Sequence, residues 1–441
     1  MIKKLNKMGT VLIWFQNNLR VQDQPLLAFS RFSSNQILPV FIIDERWFQP
    51  TAFGQTSMGP HRYRFLADSL RTLRRNLNAL GAPLIVRYGH PEQLIPELCE
   101  QYKITTLRYQ QEVGVYEQES AKKIEQQLID KGVLVNDYPI ATLIEPSLFT
   151  AKMEQLPNQF TPFRQMVEKK VIIPEAVPVP GKLNGIQGVN EGHIPSAIEL
   201  GLSQTYADAR ADLHHSGGEE EAINRLQLFI DSGAIDTYYD TRNQLNGSLF
   251  SSQLSPWLAN GCISARTIYA AIKKHEQERG ANRSTYWLFF ELLWRDFFKF
   301  CLLKHGKKYF LSKGLKKWAS PKGYDSATFN KWRSGTTTCE LVNAAMVQLQ
   351  ATGYMSNRMR QVVASYLVND LQQDWRWGAA WFEHWLIDYD VSSNYGNWTY
   401  LAGVGNDPRS DRYFDVEKQT RQFDKDYSFR NQWLTPDAIR K

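Results

Sequence analysis

Partway along this 441-residue chain the hydrophobic period changes, and nothing else in the sequence limits the fold as strongly. Through residues 1–136 short apolar runs alternate with helical patterns. After Gly217 the pattern is almost wholly helical, and eleven of the 13 tryptophans fall there. The spacing predicts strands at Val11–Phe15, Ile37–Ile43, Leu84–Arg87, Thr105–Tyr109 and Val133–Asn136. Between the second and third, His61–Leu80 carries Phe65, Leu66, Leu70, Leu73, Leu77 and Leu80 at helical spacing, with Arg and Asn opposite. Such alternation predicts an α/β domain with a five-stranded, Rossmann-like parallel sheet covered by helices on both faces. No G-x-G-x-x-G follows the first strand, so the usual dinucleotide cradle is not indicated. Pro and Gly crowd Ile173–Pro195, which reads as a long connection. The expected organisation is therefore an α/β domain over 1–136, a connector over 137–215 and an all-α domain over 216–441.

Composition narrows the function classes. With 43% hydrophobic and 22% charged residues the chain is globular. A net charge of +7 favours anionic partners, nucleic acid among them. Cys99, Cys262, Cys301 and Cys339 stand far apart without a C-x-x-C pair, which argues against a disulfide framework or zinc site and suits a reducing cytoplasm. V-L-I-W-F near the start is too short for a signal or membrane segment, so the expectation is a soluble cytoplasmic protein, monomeric and free of membranes.

Four stretches carry chemistry. Ile387–Trp398 (I-D-Y-D-V-S-S-N-Y-G-N-W) packs acids, an Asn and aromatics together. As a calcium loop counted from Asp388 it would need Gly at position 6 and Glu at 12, but has Ser393 and Thr399, so no metal is expected. Ser284–Phe300 is apolar nearly all round, the mark of a buried helix, yet places Glu291, Trp294 and Arg295 on one side. Buried charges need partners, so these point to a lined cavity. In Asp374–Leu386, Trp377, Trp381 and Trp385 form a stripe that reads as core packing, with Trp375 off it. Ser251–Leu258 (S-S-Q-L-S-P-W-L) clusters hydroxyls before a Pro-started turn, a pattern suited to phosphate.

These stretches, with G-G-E-x-x-A at Gly217–Ala222, A-T-G-Y-M-S-N-R-M-R-Q, A-G-V-G-N-D-P-R at Ala402–Arg409 and W-F-Q-N-N-L-R near the start, resemble the cryptochrome/photolyase family, and within it the DASH cryptochromes, over essentially the whole chain. The resemblance implies an α/β antenna domain and an all-α domain holding FAD. Tyr239, Ser251, Ser252, Leu254 and Ser255 match positions around the FAD phosphates. Arg295, Asn357, Arg360, Asp388, Asp390 and Asn394 match positions around the flavin and ribityl chain, with Asp388 paired to Arg360. Asn394 would face flavin N5, where an amide hydrogen-bonds but cannot titrate and so favours the fully reduced flavin. Trp398, Trp375 and Trp318 match an electron-carrying chain. Glu291, Trp294, Asn357, Gln361 and Tyr400 match the lining of a cavity for a pyrimidine dimer, and Glu112 matches a contact to an antenna methenyltetrahydrofolate.

The sequence departs from the family at several points. Gln16 and Asn18 stand for an Arg and an Asp, implying a salt bridge replaced by neutral groups. Gln253 replaces a Lys beside the FAD phosphates. Thr338, Cys339 and Glu340 replace Gly-aromatic-Pro, while Asn343 replaces an Asp and Met359 a Gly. These departures cluster near the flavin domain, where they bear on cofactor retention and lesion access. The implied function is light-driven repair of pyrimidine dimers in single-stranded or looped DNA. The alternatives are a blue-light photoreceptor acting on partners, RNA or DNA without repair, and a flavin-free nucleic-acid-binding relic.

Overall fold

The computed structural model describes residues 9–28, 35–148, 153–316, 322–406 and 412–435. Five strands, β1 (Thr10–Phe15), β2 (Gln36–Asp44), β3 (Ile85–Gly89), β4 (Thr106–Gln110) and β5 (Leu134–Tyr138), form one sheet in the order β3-β2-β1-β4-β5. Every neighbouring pair is parallel. Each strand lies within two residues of the apolar run that predicts it.

β1 explains the unbroken run V-L-I-W-F. Val11, Ile13 and Phe15 enter one core with α1 (Pro60–Ala79). Leu12 and Trp14 enter a second core with α2 (Pro91–Gln101) and α3 (Val115–Asp130). A strand buried on both faces has no polar face to alternate with. Strand order reverses between β1 and β4, so their carboxyl ends flank the crevice where open α/β sheets place ligands.

The Pro/Gly-rich connection forms neither helix nor strand, but it is tied down. Gly185 bridges to Ile37 at the start of β2, Val86 N–H donates to Glu191 O (2.8 Å), and the Tyr63 hydroxyl donates to Pro195 O.

Before it lies α4 (Phe160–Lys170), and beyond it come α5 (Glu219–Asp231), α6 (Ala265–Arg279), α7 (Arg283–His305), α8 (Glu340–Thr352), α9 (Asn357–Ser365), α10 (Trp375–Trp385) and α11 (Val391–Leu401). α7 starts with a capping box: the Asn282 side chain accepts from Ser284 N–H and Thr285 N–H, and Thr285 Oγ1 accepts from Asn282 N–H. Its apolar surface is buried because α11 and α4 pack along it. The Trp stripe of α10 packs as its spacing predicts, with Trp377 stacked on Tyr324 (3.7 Å) and Trp385 against His61. No described helix is long and apolar enough to cross a membrane.

The sheet region and the helices meet where α1 begins. Gly59 N–H donates to His384 O (2.9 Å), and a Cβ at Gly59 would overlap that carbonyl. One turn on, His61 Nε2 bonds Gln350 O (2.9 Å). Burial pushes the His61 imidazole down to about 4, against the raising effect of that hydrogen bond. Between pH 6.5 and 4 the unfolded chain therefore binds a proton that the folded chain refuses, and stability falls as pH falls through this window. His61→Gln, measured by denaturant unfolding across pH 7 to 4, is expected to flatten that acid limb. An unchanged slope counts against the assignment.

Candidate functional site

The loop 244–255, α7 and α9 enclose a cavity with about 1320 Å³ of non-atom space, counting its open mouth. Past Asn357, Arg360, Asp388, Asp390 and Ser393 it continues into a smaller hollow lined by Gln361, Phe382, Asn394 and Trp398. The I-D-Y-D-V stretch forms the shared wall. It is the turn between α10 and α11, which sets Asp388 and Asp390 against α9 and α7.

Each charge on this wall has a partner. Asp388, with its side chain 2% exposed, accepts from Arg360 Nη2 (2.8 Å) and Ser255 Oγ (2.6 Å) on one oxygen. Its other oxygen, Oδ1, is buried with no partner among the described residues. Asp390 caps α11 by accepting from Ser393 N–H (2.8 Å), also accepts from Ser392 Oγ, and lies 3.7 Å from Lys299 Nζ. Burial works to raise its pKa, but Lys299, Arg295 and these hydrogen bonds outweigh it and hold the carboxyl at about 2. Arg295 donates to Ala141 O (3.0 Å) and is fixed toward the cavity. Glu291 accepts from Trp287 Nε1 (3.1 Å), with Arg242 Nη1 at 3.7 Å. Burial raises its pKa against the pull of both. Asn394 Nδ2 donates to Ala379 O (3.0 Å), which leaves Oδ1, an acceptor, for a cavity occupant.

This donor set fits a flavin dinucleotide. An orphaned carboxylate oxygen and an amide oxygen suit the N–H and O–H groups of a reduced flavin and its ribityl chain, and a guanidinium suits its carbonyls. At the other end Gln253 takes a positive φ of 51° and Leu254 follows at φ −81°, so successive N–H groups converge into a concavity for anions.

The structure brings most of the candidate residues together. Ser251, Ser252, Leu254, Ser255, Glu291, Arg295, Asn357, Arg360, Asp388 and Asp390 line the main cavity, and Gln361, Asn394 and Trp398 its extension. Two expectations need correction. Tyr238, not Tyr239, lines the cavity; Tyr239 turns outward, its ring under Arg283 and its hydroxyl bonded to it. Trp294 and Tyr400 line a separate recess, where Trp294 stacks on Phe160 (3.7 Å) and Tyr400 lies under Arg412. Of the departures in the helical domain, Gln253 lines the cavity. Asn343 holds Thr337, Thr338 meets Tyr366 and Met359 is core. The neutral Asn18 and Gln16 meet through the backbone, Asn18 Oδ1 accepting from Gln16 N–H (2.8 Å).

Trp375 is buried and donates to Ser312 O (3.1 Å), Trp398 packs edge-on against Phe382 (5.1 Å), and Trp318 lies outside the described residues. Glu112 stands half-buried beyond β4. Burial pushes its carboxyl up to about 7, with Lys299 opposing and Glu117 and Asp390 adding to it. A cavity at the carboxyl ends of β1 and β2 is lined by Gln16, Asn17, Arg62, Tyr116 and Tyr389. Glu112 is not on its wall but bonds Asn17. Among the described residues no cluster of His, Cys, Asp and Glu could hold a metal.

Three supporting ions escape sequence reading. Lys299, on the helix that reads as apolar all round, steadies Asp390. Asp296, fully buried, accepts from Leu143 N–H (3.2 Å) and Ile144 N–H (2.9 Å) across the molecule. Arg225 sits behind the 244–255 loop. The one signal available for each is a charged residue inside a helix otherwise bound for the core.

Comparison with known proteins points to one family. The family model described as DNA photolyase matches residues 11–181, and that described as FAD binding domain of DNA photolyase matches 287–437. The Cryptochrome DASH of Gloeobacter violaceus is 42% identical over 96% of this chain and 85% of its own length; that of Danio rerio is 41% identical over 96% and 83%. The crystal structure of a Synechocystis cryptochrome superposes with a TM-score of 0.93 at 42% identity, covering 96% of this chain and 88% of that one.

Proposed function

This chain belongs to the cryptochrome/photolyase family and, within it, to the FAD-binding DASH cryptochromes, and from that premise we propose that it splits cyclobutane pyrimidine dimers in DNA, chiefly in single strands. The observation that carries this reading is Glu291 and Asn357 on the wall of the same cavity as the flavin-facing Arg360, Asp388 and Asp390.

Bound FAD, fully reduced and excited by blue light, supplies the electron that opens the dimer. The chain supplies position and field. Arg360 and Arg295 would hold the flavin end, and Asp388 Oδ1 and Asn394 Oδ1 would accept from its N–H and O–H groups. Asn394 cannot itself deliver a proton. Burial raises the pKa of Glu291 and so favours its protonated form, the form that donates to a pyrimidine carbonyl as charge develops there. Trp398, at the cavity wall, and buried Trp375 would form the inner part of a path for electrons toward the bound flavin. Flipping a lesion out of duplex costs a few kcal/mol, which a single strand avoids. A methenyltetrahydrofolate antenna is the proposed partner of Glu112, whose carboxyl burial pushes up to about 7. The cytoplasm is the expected compartment.

The test is illumination of the reduced protein with a single-stranded oligonucleotide carrying one thymine dimer. Restored thymines are expected, with Glu291→Ala weakening lesion binding by about fivefold, one ordinary hydrogen bond. A light-dependent flavin change with no thymines restored would sink the repair reading in favour of a photoreceptor.

A further inference from the structure

Arg225, on α5, is 4% exposed. Its guanidinium donates from Nε to Ser252 O (2.8 Å) and from Nη2 to Ser248 O and Ser251 O (2.9 Å). Nη1 is buried without a partner. Among the described residues no carboxylate pairs with it; its electrostatic neighbours are the Tyr354 hydroxyl and the buried His215. A buried, uncompensated guanidinium is costly unless a negative charge arrives.

The three carbonyls fix the loop's polarity. In a trans peptide the N–H of the next residue points opposite to the carbonyl. Drawing Ser248, Ser251 and Ser252 oxygens toward Arg225 therefore turns the N–H groups of Leu249, Ser252 and Gln253 away from it. None of those three donates to an acceptor among the described residues. Ser251, Ser252 and Gln253 line the cavity. Gln253 holds its positive φ and donates from Nε2 to Gly247 O, so it brings no charge to the loop.

We propose that Arg225 is the positioning residue for the FAD diphosphate: from behind the loop it aims the unpaired N–H groups into the cavity and supplies the positive charge that Gln253 lacks. The inference rests on the flavin reading. A guanidinium that merely staples the loop would act on every cavity ligand alike, whereas this one acts on the diphosphate.

The experiment compares FAD with riboflavin, which carries the ring and ribityl chain but no phosphate, by flavin fluorescence quenching on apoprotein. Arg225→Gln is expected to raise the Kd for FAD by roughly 10–100-fold, the range for a lost hydrogen bond to a charged group. The Kd for riboflavin is expected to change by less than about threefold. Adding Gln253→Lys to Arg225→Gln is expected to restore about tenfold of the lost FAD affinity. Equal weakening of both flavins, or no recovery with Gln253→Lys, overturns the proposal. Should Arg225→Gln fail to fold, Arg225→Lys keeps the charge and is expected to preserve the FAD-to-riboflavin ratio within about threefold; collapse of that ratio also overturns it. Wild type that takes up no FAD would sink the flavin reading with it, while equal loss of both ligands sinks this inference alone.

Discussion

Asp388→Ala is expected to yield protein purified without flavin and to lower the stability of the flavin-free form by about 3–5 kcal/mol, the cost of stranding one member of a buried ion pair. Arg360 would keep its bond to Met355 O but lose its only carboxylate among the described residues. Ser255 Oγ, at the end of the 244–255 loop, would lose its acceptor in the same step. The loop and the flavin end of the cavity are thus fastened to one carboxylate oxygen. Asp388→Asn keeps an oxygen for both donors and is expected to lose less stability while still binding flavin poorly, because the charge that balances Arg360 is gone. Denaturant unfolding of the apoproteins and flavin absorbance per chain are the measurements. Full flavin content in Asp388→Ala with an unchanged midpoint would show that the pair is incidental.

How much of this site is legible in sequence depends on the distance over which a residue's reason for being there acts. Asp388, Asp390 and Asn394 are readable because they crowd one short turn whose composition suits nothing in a core. The strands are readable because burial on both faces leaves an unbroken apolar run. Tyr238 and Tyr239 are not separable that way. Adjacent helical residues point about 100° apart, so a motif match displaced by one residue selects the outer face instead of the cavity. Arg225 and Asp296 fail for another reason. Their partners are backbone groups, carbonyls of an irregular loop in one case and N–H groups of residues 143 and 144 in the other. Backbone groups leave no mark in side-chain composition, so nothing in the sequence pairs the ends. Trp294 and Tyr400 illustrate a third limit: identity at a motif position gives the chemistry of a side chain but not which neighbour covers it. Here Phe160, from a helix far upstream, occupies one face of the indole.

Trp398→Phe is expected to abolish light-driven reduction of the flavin by an external reductant while leaving flavin content unchanged. The indole lies on the wall of the inner hollow, 2% exposed, where benzene replaces its volume tolerably but is far harder to oxidise. Its seat is defined by Gly378 on α10, three residues after Trp375, where a Cβ would overlap the indole's outer edge. Gly378→Ala provides a graded version of the same test. Overpacking at that point costs about 1–3 kcal/mol and displaces the ring without changing its chemistry. If electrons pass through Trp398, Gly378→Ala slows photoreduction and Trp398→Phe stops it, whereas thymine restoration by chemically reduced protein survives in both. Photoreduction at wild-type rate in Trp398→Phe would mean that electrons reach the flavin by another aromatic, with Tyr395 beside Trp375 the nearest ring to examine.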